Sequence, residues 1–244
     1  MDAQTLQSLI TVSGVVLSAI VAATVTIALR KSEESKKRET ALFRLKDPLI
    51  FAVEDLLSRL ENITNQNFMY YYESGTVRQK FYAIESTTFR IARLFAMTEM
   101  ARINLLFVDR MGRKESTKIY KFLIQVERKW ASDSSHDNFM WFSDEQRAIG
   151  GLLITRISDN MVLCISYAEF LKEFPAGKSD LFDELRKDVK TIDVSRPEIF
   201  DRLMGVRNEL FSLLNFLDPR SELARRIKKR NANVRKTKLT NELT

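Results

Sequence analysis

The most continuous apolar run lies at the N-terminal end, where residues 9–29 read LITVSGVVLSAIVAATVTIAL and no charged residue occurs between Ala3 and Leu29. At about 1.5 Å per helical residue this run spans about 30 Å, the thickness of a bilayer's hydrocarbon core, and it predicts a transmembrane helix over 9–29 behind a short 1–8 segment. A cleaved signal peptide would place Lys or Arg ahead of the apolar run, whereas this chain begins MDAQT. The positive charges follow instead, at Arg30, Lys31, Lys36, Lys37 and Arg38. Their position predicts a single-pass membrane protein, with the N-terminus outside and the remainder cytoplasmic. Gly14, Ser18 and Ala22 recur every four residues, a stripe of small side chains on which a second copy of the helix could pack; packing of this kind predicts a homo-oligomer.

Beyond a charged juxtamembrane segment, 30–46, the periodicity turns amphipathic. Asp47-Pro48 reads as a cap and a first-turn proline that restart a helix. Leu49, Ala52, Val53, Leu56, Leu57, Leu60 and Ile63 then follow the three-four spacing of one buried face. Gly75 interrupts, Thr76 can cap, and a helix is predicted from Val77 to about Val108, with Phe81, Ile84, Phe89, Ile91, Leu94, Phe95 and Met100 as its apolar side. Further helices are predicted at 115–131, from Ser143, at 161–174, at 179–191 and at 197–217, the last closed by Asp218-Pro219. The predicted fold is an all-α bundle domain over 47–219. Only 7 glycines and 4 prolines interrupt the chain, which agrees with a turn-poor helical protein.

Two of those glycines, Gly150 and Gly151, stand side by side in SDEQRAIGGLLI. Ser143 with Gln146 matches a capping box, and Ile149, Leu152, Leu153 and Ile157 continue a helical apolar side. Each glycine inside a helix costs about 1 kcal/mol relative to alanine, so a close approach by another backbone is the expected compensation at Gly150.

Candidate chemistry is sparse. The one cysteine, Cys164, sits in MVLCISY and reads as a buried, reduced thiol. The one histidine, His136, lies in the polar loop SDSSHDN, so a di-iron bundle lacks its His ligands. Gly177-Lys178-Ser179 resembles the tail of a phosphate loop, but Lys172 stands where its first glycine belongs. The run Phe68 to Tyr72 (FMYYY) reads as core packing with an exposed ring, against base stacking or a membrane interface. No cofactor is expected and no metal site is assigned. The remaining candidates are Arg59, Glu145, Arg147 and Gly150, read as a cluster that either locks the bundle through ion pairs or lines a ligand site; carboxylate and arginine catalysis there is the weakest of the three readings.

The net charge of +7 belongs to the C-terminal end: residues 220–244 hold nine Lys or Arg and two acids, and the rest balances. This basic tail, with Arg225, Arg226, Lys228, Lys229 and Arg230 at its centre, predicts a solvated segment dispensable to the fold. Contact with anionic lipid is the next reading, and nucleic acid fits less well because no aromatics interleave the charges.

Asp47-Pro48, Ser58-Arg59-Leu60 with Asn62-Ile63, and Glu145 to Gly150 (EQRAIG) together resemble a group of uncharacterised bacterial membrane-anchored helical proteins with no established activity, over about residues 45–175. Gly151 stands where that group carries an acid. The resemblance implies the architecture. The expected function is that of a membrane-anchored helical interaction or scaffold protein with a cytosolic protein partner; the alternative is a sensor or effector whose helical domain binds a small ligand or nucleic acid.

Overall fold

The structure, a computed structural model, describes the backbone of residues 3–109, 114–133, 139–158 and 161–242, and the side chains of 22–33, 45–70, 72–103, 117–133, 139–155 and 162–232. His136 and the side chains of Gly14's and Ser18's neighbourhood lie outside the described residues. The chain is mostly helical and divides into two units, Met1–Arg44 and Leu45–Thr244.

Helix α1 spans Ala3–Gln66 with Pro48 inside it, so the expected restart at Asp47 does not occur. A proline withholds one backbone hydrogen bond and crowds the carbonyl four residues earlier, and Arg44, at that position, is where the first unit ends. In the first unit, residues 22–33 are exposed, Val25, Ile27 and Leu29 among them. No helix among the described residues is long and apolar enough to cross a membrane. Of the small-residue stripe, only Ala22 has a described side chain.

In the second unit the predicted α1 face is buried throughout, from Leu49 to Ile63. It packs beside α3 (Val77–Asp109), the central strut, which also contacts α2 (Phe68–Glu73), α4 (Lys114–Trp130), α5 (Ser143–Leu152), α6 (Tyr167–Glu173) and α7 (Asp180–Lys190). Thr76 and Gln79 cap α3 reciprocally: the Gln79 amide N–H donates to Thr76 Oγ1, and the Thr76 N–H donates to Gln79 Oε1 at 2.8 Å. Phe81 is exposed, so the apolar side of α3 begins one turn later than its sequence implies. Helix α8 (Pro197–Leu217) lies along α4 and hands over to α9 (Glu222–Glu242).

Three features depart from the sequence expectations, the first of them from the all-α fold. Residues 161–164 are not helical: β1 (Ile154–Ser158) and β2 (Met161–Cys164) form an antiparallel hairpin with Ile154 opposite Cys164, and only Tyr167–Glu173 continues as helix. Ile157 is therefore on a strand, and α5 ends at Leu152. The N-cap of α5 is Phe142, not Ser143. Its side chain has no acceptor, and the cap consists of Glu145 Oε2 receiving the Phe142 N–H at 2.9 Å. Finally, the C-terminal segment is not an appendage: Ala224 and Ile227 are buried, Ser221 Oγ meets Glu54 Oε1, and Arg230 pairs with Glu61, which also binds Arg207 Nε at 2.5 Å. The basic residues Arg225, Arg226, Lys228 and Lys229 occupy the exposed side of the same helix.

Candidate ligand-binding cleft

The residues singled out in sequence do not form one cluster. Arg147 donates to Asp144 Oδ1 at 3.1 Å and Glu127 Oε1 at 3.3 Å, tying α5 to itself and to α4. Glu145 is engaged at the α5 cap, and Gly150 packs against the α3 backbone at Phe95 and Ala96. These three belong to the bundle's joints. Arg59 is elsewhere, and its surroundings differ in kind.

Among the described residues four arginines are buried. Arg186 holds Glu85 and Asp183. Arg207 holds Glu61. Arg202 donates to the carbonyls of Lys129, Trp130 and Ser132 at the end of α4. Arg59, 2% exposed, has neither a carboxylate nor a carbonyl. Its Nη2 donates to Ser86 Oγ at 3.0 Å and, more weakly, to Tyr82 OH at 3.4 Å, while Nε and Nη1 have no partner. Phe68 of α2 lies over the guanidinium at 3.9 Å and the Tyr82 ring stands at 5.5 Å. Burial, reinforced by the neighbouring Arg90 charge, lowers the Arg59 pKa to about 10. A cation without a counter-ion costs several kcal/mol to bury, and a desolvated ring contact returns about 2 kcal/mol, so the fold alone does not account for this residue.

Arg59 itself is outside the lining and lies behind Tyr82 and Ser86, the two residues to which it donates, which line an open cleft of about 520 Å³. Tyr82, Ser86, Arg90 and Arg93 line it from α3 at intervals of four, four and three residues, which places them along one helical face. Asp55 of α1 enters from one side; Cys164, Ile165, Ser166, Tyr167 and Glu169, from the end of β2 and the start of α6, form the opposite wall. Arg93 is engaged by Asp55 at 3.0 Å, and Glu169 receives the Ser166 N–H at 2.8 Å. Arg90, half-buried, makes no hydrogen bond or ion pair among the described residues.

The two tyrosines of the cleft are tuned in opposite directions. Burial pushes the Tyr82 phenol up, but the Arg59 and Arg90 cations together with hydrogen bonds from Arg59 and Ser86 outweigh it, and its pKa is lowered. Burial and then the Glu85 carboxylate raise that of Tyr167. Cys164 is pushed up to about 11 by burial, which keeps it a thiol at neutral pH.

A second cavity, about 590 Å³, lies between α2 and residues 190–194. Its charged residues, Lys80 and Lys190 against Glu73 and Asp193, balance, and no orphaned buried polar atom borders it. The lining of the first cleft balances as well, Arg90 and Arg93 against Asp55 and Glu169, but there an uncompensated cation, Arg59, lies behind the lining.

Compared with known proteins, the chain matches no family model, no curated protein and no solved structure.

Tyr82, Ser86, Arg90 and Tyr167 carry the cleft, and none stands out in the sequence reading. The available signal was the polar stripe itself: a Tyr-Ser-Arg-Arg series at helical spacing along α3.

Proposed function

We propose that this chain is a membrane-anchored sensor or effector whose second unit binds a small anionic ligand in the cleft backed by Arg59. The observation that carries the proposal is Arg59 itself, buried behind the cleft with two unpartnered nitrogens, near Arg90 of the cleft lining, which has no ion pair among the described residues. An anion in the cleft would supply the counter-charge that the fold withholds. Arg59 touches Tyr82 in the cleft on one side and Phe68 of α2 on the other, so occupancy is communicated to α2 through a single side chain. The uncharged run 3–29, the basic residues that follow it and the exposed Val25, Ile27 and Leu29 support anchoring through 9–29 with the second unit in the cytoplasm.

The test is thermal unfolding of the full-length chain in detergent, with sulfate or phosphate compared against chloride at equal ionic strength. The proposal requires a stabilisation specific to the multivalent anions that Arg90→Gln removes. Equal melting temperatures in all salts would reject it.

The interaction reading has its own support. Val77 and Phe81 are 85% and 53% exposed, one turn apart on α3, an apolar pair suited to a protein partner or to a second copy of the chain. Arg225, Arg226, Lys228 and Lys229 add an exposed basic side on α9 suited to anionic lipid.

A further inference from the structure

Resting on the anion-binding reading above, we infer that the ligand of the Arg59 cleft is a phosphate monoester joined to a flat ring that donates hydrogen bonds, the chemistry of a nucleoside monophosphate. Size is the first reason. A free phosphate fills a small part of about 520 Å³, a volume within the usual range for an organic ligand.

The donors define the charged end. Arg90 offers a guanidinium fork, whose planar geometry matches two phosphoryl oxygens. Arg59 donates into Ser86 Oγ and, more weakly, into the Tyr82 oxygen. With that oxygen accepting from behind, the Tyr82 O–H is left to donate forward. A carboxylate would commit both of its oxygens to the fork of Arg90, whereas a phosphoryl group keeps a third oxygen for Tyr82.

The acids define the other end. Asp55 and Glu169 line the same cleft, and each has one carboxylate oxygen beyond the one used by Arg93 or by the Ser166 N–H. These oxygens accept from ligand hydroxyl or amino groups and repel additional phosphates. Arg90 and Arg93 balance Asp55 and Glu169 in the lining, and the charge left in excess is that of Arg59 behind Tyr82 and Ser86. That excess suits a monoester better than a di- or triphosphate. Tyr82, Phe89 and Tyr167 supply aromatic surface on which a ring can stack.

The experiment is calorimetric titration of the full-length chain in detergent with adenosine monophosphate, adenosine diphosphate, adenosine and inorganic phosphate. The monophosphate should bind at least about tenfold more tightly than the other three, and Arg90→Gln should lower its affinity about tenfold with an unchanged melting temperature. Tyr82→Phe should lower it by a smaller factor, since one neutral donor is lost. Inorganic phosphate binding as tightly as the monophosphate would overturn the ring while leaving the anion reading in place. Adenosine or the diphosphate matching the monophosphate, or Arg90→Gln without effect on its affinity, would overturn the assigned chemistry. Absence of binding by every anion would sink both readings.

Discussion

Gly150 meets the peptide of Phe95 at a distance that leaves no room for a side chain: a β-carbon at position 150 would lie 2.7 Å from the Phe95 carbonyl carbon and oxygen and 2.9 Å from the Ala96 nitrogen. Backbone cannot yield as a flexible side chain does, so Gly150→Ala forces α5 away from α3. The expected cost is about 2–3 kcal/mol, measured by urea unfolding. A β-carbon at position 151 would meet nothing within 4 Å beyond its own helix. Gly151→Ala should therefore gain about 0.5–1 kcal/mol, the helical advantage of alanine.

Arg202 closes α4 by donating to three carbonyls at its end while only 4% exposed. Arg202→Met leaves those buried acceptors without their donor. Chemical denaturation should show a loss of about 2–4 kcal/mol, and the amides of the last α4 turn should lose protection from hydrogen exchange.

Ile227 is buried although it lies within a strongly basic segment. Ile227→Ala should cost about 2–4 kcal/mol. Removing residues 221–244 should destabilise the second unit further, because it also leaves Glu61 without Arg230 and Glu54 without Ser221. Calorimetric melting of the two variants checks both; an unchanged melting temperature would place the segment outside the core.

The depressed Arg59 pKa has a definite pH signature. Below about 10 the native state carries a buried cation that the unfolded chain keeps in water, and the penalty is fully present. As pH rises past that value the native state releases its proton while the unfolded chain, with its ordinary, higher pKa, retains one. Stability rises with pH wherever the unfolded state binds more protons, so the penalty is relieved across this window. The stability of the wild type relative to Arg59→Met should thus improve between pH 8 and pH 10.5. Urea unfolding of both proteins at the two pH values reads the difference.

Much of this architecture was legible in the chain. The α1 face from Leu49 to Ile63, the Thr76 cap, the span of α8 and the close approach at Gly150 each follow from a local rule that the packing obeys. The hairpin was not legible, because Met161, Leu163 and Cys164 around Val162 suit a helix as well as a strand, and pairing with residues 154–158 decides the outcome. Net charge concealed Ala224 and Ile227, since two apolar positions one turn apart among nine cations suffice to dock a helix. The cleft was hidden for a different reason. Arg59 shows its character only through what it lacks, and a missing counter-ion is visible in space and not along the sequence. Spacing alone could not separate it from Arg186 or Arg207, whose buried carboxylate partners, Glu85 and Glu61, lie far away in the chain.

The central claim is that Arg59 is retained for a ligand and not for the fold, and Arg59→Met tests it most directly. Methionine fills similar volume and removes the buried charge, together with the contact to Phe68 and the hydrogen bonds to Tyr82 and Ser86. Measured on full-length protein at neutral pH, the unfolding free energy of the variant should equal or exceed that of the wild type, while stabilisation by multivalent anions disappears. A loss of more than about 2 kcal/mol with anion stabilisation retained would contradict the account and make Arg59 a structural residue.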